Sequence, residues 1–446
     1  MAKDQSAWPD FFTDERLVEA PYAYLSALRA RCPVVREEHH GVTMVTGWQE
    51  AVDIYNDADT WSSCISVTGP FPGFPAPLES DDVSEQIEKH RHELPFSDQL
   101  PTLDPPTHTD HRSLLMRLVT PKRLKENEGA MWDIADQVLD DYLREETGEF
   151  IGGFAGPFTF LVIADLLGIP ADDRADLAAS MRSNADDGFG STGEDSLSHS
   201  PLDFLYGRFM AYIEDRRLHP RQDVLTGLAA GIFPDGSTPD AADVARVATN
   251  VFSAGQETTV RLLSTALKIL AERPDVQGSL RADRGLIPNF IEEVLRIESP
   301  VKGDFRLSRV PTTVGGVQLS AGTVAMVLNG AANRDPRRFD DPDVFDPLRK
   351  NARQHIAFGR GIHSCPGAPL ARAETRVGIE RLLDRTSDIR ICEAEHGPPD
   401  GRRYRYVPTY ILRGLTELHL ECSVIEPKST SPQLSTTTGA KTCPMS

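Results

Sequence analysis

Hydrophobic positions recur at helical spacing through most of the chain. Between 126 and 145, Met131, Ile134, Ala135, Val138 and Leu139 fall on one face, which predicts an amphipathic helix. Segments 158–167 and 202–217 follow the same period, and the longest such run, 243–272, carries Gly255 in its interior. A shorter helical pattern at 288–296 is ended by Pro300. Strand-like signal is thin, confined to 43–46, 313–319, 323–328 and 415–420. The Pro-rich stretch 69–77 reads as a loop, and 184–200, rich in Asp, Gly and Ser, as a mobile surface loop. No internal repeat is found. The pattern predicts a mainly α fold with small β-sheets.

Length allows two or three domains, yet no shift in composition marks a boundary. The expectation is one domain over 1–425, followed by a Ser/Thr/Pro/Lys-rich tail, 426–446, that is disordered. A net charge of -20 argues against nucleic acid or anionic membrane as a partner. No apolar run approaches the length of a membrane span, and the N-terminus lacks a signal-type apolar core, so a cytoplasmic protein without a membrane anchor is expected. The six cysteines show no CxxC pair or regular spacing, which argues against a disulfide framework or a thiol-only zinc site.

Only Cys365 stands in a context that demands chemistry. It lies in Phe358-Gly359-Arg360-Gly361-Ile362-His363-Ser364-Cys365-Pro366-Gly367-Ala368. Six of these positions (Phe, Gly, Gly, His, Cys, Gly) resemble the haem-binding loop of the cytochrome P450 family. At average residue usage such a coincidence arises in about one chain in 10⁵ to 10⁶. Gly359, Gly361 and Gly367 let the backbone turn tightly and approach a flat macrocycle. Backbone N–H groups of such a loop stabilise a thiolate, and a thiolate ligand pushes electron density into the iron. The resemblance makes Cys365 the metal ligand, haem b the cofactor, and Phe358 a shield for the sulfur. Pro366 has no N–H to offer that sulfur.

Other segments resemble the same family, in its order. Ala254-Gly255-Gln256-Glu257-Thr258 resembles its oxygen-activation motif: small residues leave room beside the helix, Thr258 is placed to bond back to the Ala254 carbonyl, and Glu257 to relay protons. Glu293 and Arg296 form an ExxR pair, which the family joins to a further arginine, here Arg349, in a folding network. His108 and Arg112 at i and i+4, Arg306, His363 and, with less support, His355 are matched to haem propionate contacts. The resemblance places Asn250, Ser253, Ala254, Val301, Ile411 and Leu412 around a substrate pocket, with Lys302 a candidate partner for a substrate carboxylate and 186–200 a lid.

The resemblance implies a single-domain haem-thiolate monooxygenase that inserts one oxygen atom of O₂ into a hydrophobic small molecule such as a terpenoid, steroid or polyketide. Electrons are expected from a separate ferredoxin served by an NAD(P)H-dependent reductase. Arg349, Lys350, Arg353, Arg360, Arg372 and Arg376, with Arg117, Lys122 and Arg123, reverse the local sign of charge and offer a face to such an acidic partner. Two other readings stay open: a haem-thiolate enzyme of different chemistry (peroxide use, coupling, dehydration) and a non-enzymatic haem sensor or carrier. The Glu257–Thr258 pair disfavours the last, since a sensor needs no proton relay.

Overall fold

The computed structural model describes residues 8–144, 147–183 and 200–425. The loop and lid expectation over 184–199 and the tail from 426 lie outside them. Seven helices carry the architecture: α1 (Thr107–Leu115), α2 (Pro121–Tyr142), α3 (Gly156–Leu167), α4 (Ser200–Leu218), α5 (Ala241–Glu272), α6 (Ile287–Ile297) and α7 (Ala368–Arg385). Each predicted helix is present, with ends moved by local chemistry. α2 begins five residues early because Thr120 caps the Arg123 N–H and Pro121 occupies the first turn. α3 stops where Gly168 turns left-handed, at φ 75°. The central α5 packs against α3, α4 and α7, so its apolar positions are buried nearly all round.

The strands are small and mostly at the margins. They are β1 (Val34–Arg36), β2 (Thr43–Val45), β3 (Trp61–Ser62), β4 (Thr147–Glu149), β5 (Asp304–Ser308), β6 (Thr312–Val314), β7 (Val317–Leu319), β8 (Val324–Val327), β9 (Thr386–Ile391) and β10 (His419–Val424). One five-stranded sheet runs β1-β2-β8-β5-β3, β10 lies between β4 and β9, and β6 with β7 forms a ribbon. The single run expected at 313–319 is two strands, because Gly315 and Gly316 take positive φ and turn the chain back. The run expected at 415–420 is displaced. Pairing with β4 and β9 begins at His419, while the Leu418 N–H is taken by the Glu149 carboxylate.

The expected ExxR network forms and is fully buried. Arg296 makes a two-pronged contact with Glu293 at 2.7 and 2.8 Å, and Arg349 adds a third bond to it at 3.1 Å. The spare guanidinium hydrogens go to main-chain oxygens of Asn333, Pro342, Asp340 and Val344. The network therefore ties α6 to the irregular segment that leads into the cysteine loop. Removing one charge strands the others in an apolar interior. Glu293→Gln is expected to cost about 3–5 kcal/mol of folding stability; a urea midpoint equal to that of the parent protein would contradict this.

Candidate active site

The cysteine loop is held open toward its sulfur by two glycines. Gly359 and Gly361 have φ of 64° and 68°, and a Cβ on Gly361 would lie 1.9 Å from the Tyr55 carbonyl oxygen. The loop closes on itself through the Cys365 N–H, which donates to the Phe358 carbonyl at 2.9 Å. Burial pushes the Cys365 thiol up, while the N–H groups of Gly367 and Ala368 and the Arg112 charge act the other way. A sulfur met by two amide donors and one guanidinium is built to carry negative charge once a metal takes its proton. Phe358 lies under the Arg372 guanidinium at 4.6 Å and beside the His355 ring.

α5 presents a face that is not filled by protein. Ala254 is exposed in the middle of a largely buried helix, and Asn250, Ser253, Glu257 and Thr258 share its side at helical spacing. The Thr258 hydroxyl donates to the Ala254 carbonyl at 2.8 Å, as expected of a threonine in this position. Gly255 has a different role from the one expected. A Cβ there would meet Ile163 of α3 at 3.3 Å, so its smallness serves helix packing, and the room beside the helix comes from Ala254.

Two histidines flank the loop. His108 and His363 have ring centroids 4.1 Å apart, and the Nε2 of each is buried without a hydrogen-bond partner. Burial first, then Arg112, pulls His108 down to about 4; burial first, then Arg306, pulls His363 down to about 2. Both are neutral at ordinary pH; the single ring N–H of His108 is free to give, whereas that of His363 meets the Leu103 carbonyl. Arg112 donates to the Ser364 carbonyl, and Arg306 reaches the Phe305 carbonyl at 2.6 Å and Asp304 at 3.3 Å. Uncommitted buried imidazole nitrogens beside two arginines are what the carboxylate arms of a haem require. With the Cys365 sulfur in its amide cradle, the donor set fits a haem-thiolate.

His355 does not join them. Its Nε2 contacts the Glu292 carboxylate at 3.0 Å and its Nδ1 accepts the Ala357 N–H, so both nitrogens serve the scaffold. Burial raises the Glu292 carboxyl, but His355 and Arg372 outweigh it and hold it at about 2. Lys302 is not a substrate contact either. It is 2% exposed, behind the Val301–Leu412 bridge, and its Nζ donates to the Thr409 carbonyl at 2.6 Å. Ile411 and Leu412 are packed with Phe11, Phe12 and Tyr410, and Val301 is only partly covered.

Three residues of the site escaped sequence reasoning. Arg261, one turn beyond Glu257, forms an ion pair with it. Glu292 contacts both flanks of the cysteine loop, His355 before it and Arg372 after it. Glu374 on α7 is 1% exposed and bonded to Thr259, and burial raises its carboxyl well above the usual range. Its signal was present: an acid in step with Leu370 and Val377 on a buried helical face.

Comparison with known proteins agrees with this geometry. Residues 224–387 match the family model described as Cytochrome P450. Cytochrome P450 144 of Mycobacterium tuberculosis is 31% identical, over 94% of this chain and 92% of its own. The substrate-free structure of Mycobacterium marinum CYP150A6 is 53% identical with a TM-score of 0.88, covering 94% of this chain and 99% of that one. Bacillus megaterium CYP109E1, solved in complex with testosterone, is 26% identical with a TM-score of 0.74, covering 90% and 99%. The chain belongs to the cytochrome P450 family, whose members are haem b monooxygenases.

Two expectations follow. Pro366→Leu supplies an N–H beside the sulfur, weakens its donation to iron, and is expected to raise the haem reduction potential by roughly a few tens of millivolts, the scale of part of one hydrogen bond; redox titration giving an unchanged or lower value would count against it. Burial first, then Arg413 and Arg261, pushes the Lys302 ammonium from 10.5 down to about 7. Between those pH values the unfolded chain keeps a proton that the folded protein has released, so stability rises with pH across the window. Lys302→Met should therefore stabilise most at pH 7 and below, by about 2–4 kcal/mol, with the gain fading toward pH 10. Denaturant titrations showing a loss, or a gain independent of pH, would refute this.

Proposed function

We propose that this monooxygenase hydroxylates a hydrophobic small molecule, with electrons delivered by a separate ferredoxin and its NAD(P)H-dependent reductase. The observation that carries the reading is the open Ala254–Thr258 face of α5 in a protein whose Cys365 sulfur is met by two amide donors. The bound haem supplies the chemistry: one atom of O₂ enters a C–H bond and the other leaves as water, consuming two electrons and two protons. The chain's own residues manage the protons. The Thr258 hydroxyl is held by the Ala254 carbonyl at 2.8 Å, which fixes the position of its oxygen while leaving that oxygen free to accept. Glu257, with 39% of its side chain exposed, is steadied by Arg261, and we assign it the relay of protons toward Thr258. A peroxide-using enzyme would need neither group.

The pocket we assign is apolar at Ala254 and Val301 and polar at Asn250 and Ser253. That mixture suits an oxygenated hydrophobic skeleton, and a steroid is what the CYP109E1 structure holds. The face for an acidic electron carrier is narrower than the count of basic residues implied. Arg349 and Arg372 are used internally, and Arg376 pairs with Glu128 and Glu380. Arg117, Lys122, Lys350 and Arg353 are exposed, and Met116 and Ile362 expose apolar side chains at 46% and 40%. We assign these exposed cations and apolar side chains to the docking of that carrier, since transient protein–protein contacts use both.

Turnover with a ferredoxin system under isotopically labelled O₂ should place label in the product; product without label would remove the assignment. Thr258→Ala is expected to keep the substrate-induced spectral shift while sending most of the electrons into hydrogen peroxide, read as peroxide formed per NAD(P)H consumed. Full coupling to product in that variant would contradict the role given to Thr258.

A further inference from the structure

One turn before Ala254, the Asn250 side chain meets Gln99, which comes from the segment preceding α1. Asn250 Nδ2 donates to Gln99 Oε1 at 2.8 Å and to the Arg246 carbonyl at 2.9 Å. A carbonyl only accepts, so the atom facing Arg246 is the nitrogen, and the orientation of the Asn250 amide is fixed. Gln99 must then turn Oε1 to Asn250 and Nε2 to Asp98 at 2.8 Å, and Asp98 is a carboxylate that again only accepts. The two amides constrain each other. Their remaining capacity is defined: Asn250 Oδ1 can accept, and one Gln99 Nε2 hydrogen can be given.

Beyond the pair the charges are matched. Arg246 bridges Asp98 at 2.7 Å and Asp243 at 3.0 Å. Asn250 shares a side of the helix with the open face of Ala254, and Gln99 is held against it. We propose that Gln99 and Asn250 form a recognition point for a substrate hydroxyl, and that the preferred substrates are neutral, rigid, hydrophobic alcohols. A hydroxyl satisfies both groups at once, donating to Asn250 Oδ1 and accepting from Gln99 Nε2. A ketone or ether serves only Gln99. A carboxylate sets its oxygens against Asn250 Oδ1 within the field of Asp98, and an ammonium cannot accept from Gln99. Four residues of helix separate the pair from Ala254, about 6 Å along the axis. The hydroxyl is therefore held about one helical turn away from the open face at Ala254.

The proposal rests on the monooxygenase reading for the location of the pocket, but its test needs no turnover. Holoprotein is titrated in the ferric state with two matched sets, menthol, menthone and menthane, and androstanol, androstanone and androstane, following the spin-state shift. In at least one set the alcohol is expected to bind roughly ten- to a hundred-fold tighter than the hydrocarbon, with the ketone between. In Asn250→Leu and Gln99→Leu that advantage should disappear while the hydrocarbon binds as well or better. A merely structural tie between the two amides predicts the reverse, with alcohol and hydrocarbon weakened together, and that result overturns the proposal. Equal binding of alcohol and hydrocarbon by the parent protein, or no shift with either alcohol, also overturns it. The carbon monoxide difference spectrum of the same samples separates the two levels. A thiolate-type spectrum with no alcohol preference rejects the recognition point alone, whereas an imidazole-type spectrum rejects the haem-thiolate site beneath it.

Discussion

Everything at the site depends on two adjacent carboxylates of α6 that are buried and point to different partners. Glu293 binds Arg296 and Arg349, fixing the approach to the cysteine loop. Glu292 binds His355 and Arg372, fixing the loop's two flanks. Neither carboxylate touches the sulfur. Burying them is unfavourable in itself, and the partners only offset that cost. What the arrangement secures is position: the backbone N–H groups of Gly367 and Ala368 can face the sulfur only if both ends of the loop are anchored. One helical turn thus transmits the rigidity of the core to a segment with little regular structure of its own.

Much of the site was readable because its chemistry is local. The cysteine loop is a run of residue types whose backbone freedom and donors are needed together, and Glu293 with Arg296 is one helical spacing. Thr258 bonding back to Ala254 follows from helix geometry alone. What could not be read depends on long-range contact. Glu292 and Glu293 are the same residue type side by side, and only the fold shows which partners each one faces. His355 reads as a ligand-type residue near a haem loop until its two ring nitrogens are found committed. Lys302 reads as a candidate for a substrate carboxylate, because a buried lysine without an ion-pair partner is expensive and rarely assumed.

The same division applies to the fold. Five of the seven helices announced themselves by period, with ends that moved by a few residues, whereas the eighteen-residue α7 did not. Strands were harder, because two to six residues give little periodicity and the pairing partner decides the register. β5, which carries Arg306, alternates polar and apolar over only five residues and was missed; in the fold its polar Arg306 and Ser308 are buried along with Phe305 and Leu307. The Gln99–Asn250 contact joins residues 151 apart in sequence, and no local rule brings two amides together across that distance.

Ala254 and Gly255 are neighbours whose small side chains answer to different demands. One borders open space, and the other abuts Ile163 of α3. Bulk added at position 254 would reshape what the enzyme admits while leaving the helix spacing alone. Bulk added at 255 would push two helices apart before any ligand was consulted. Two successive residues thus govern separate dimensions of the molecule, the volume open to a guest and the distance between two helices.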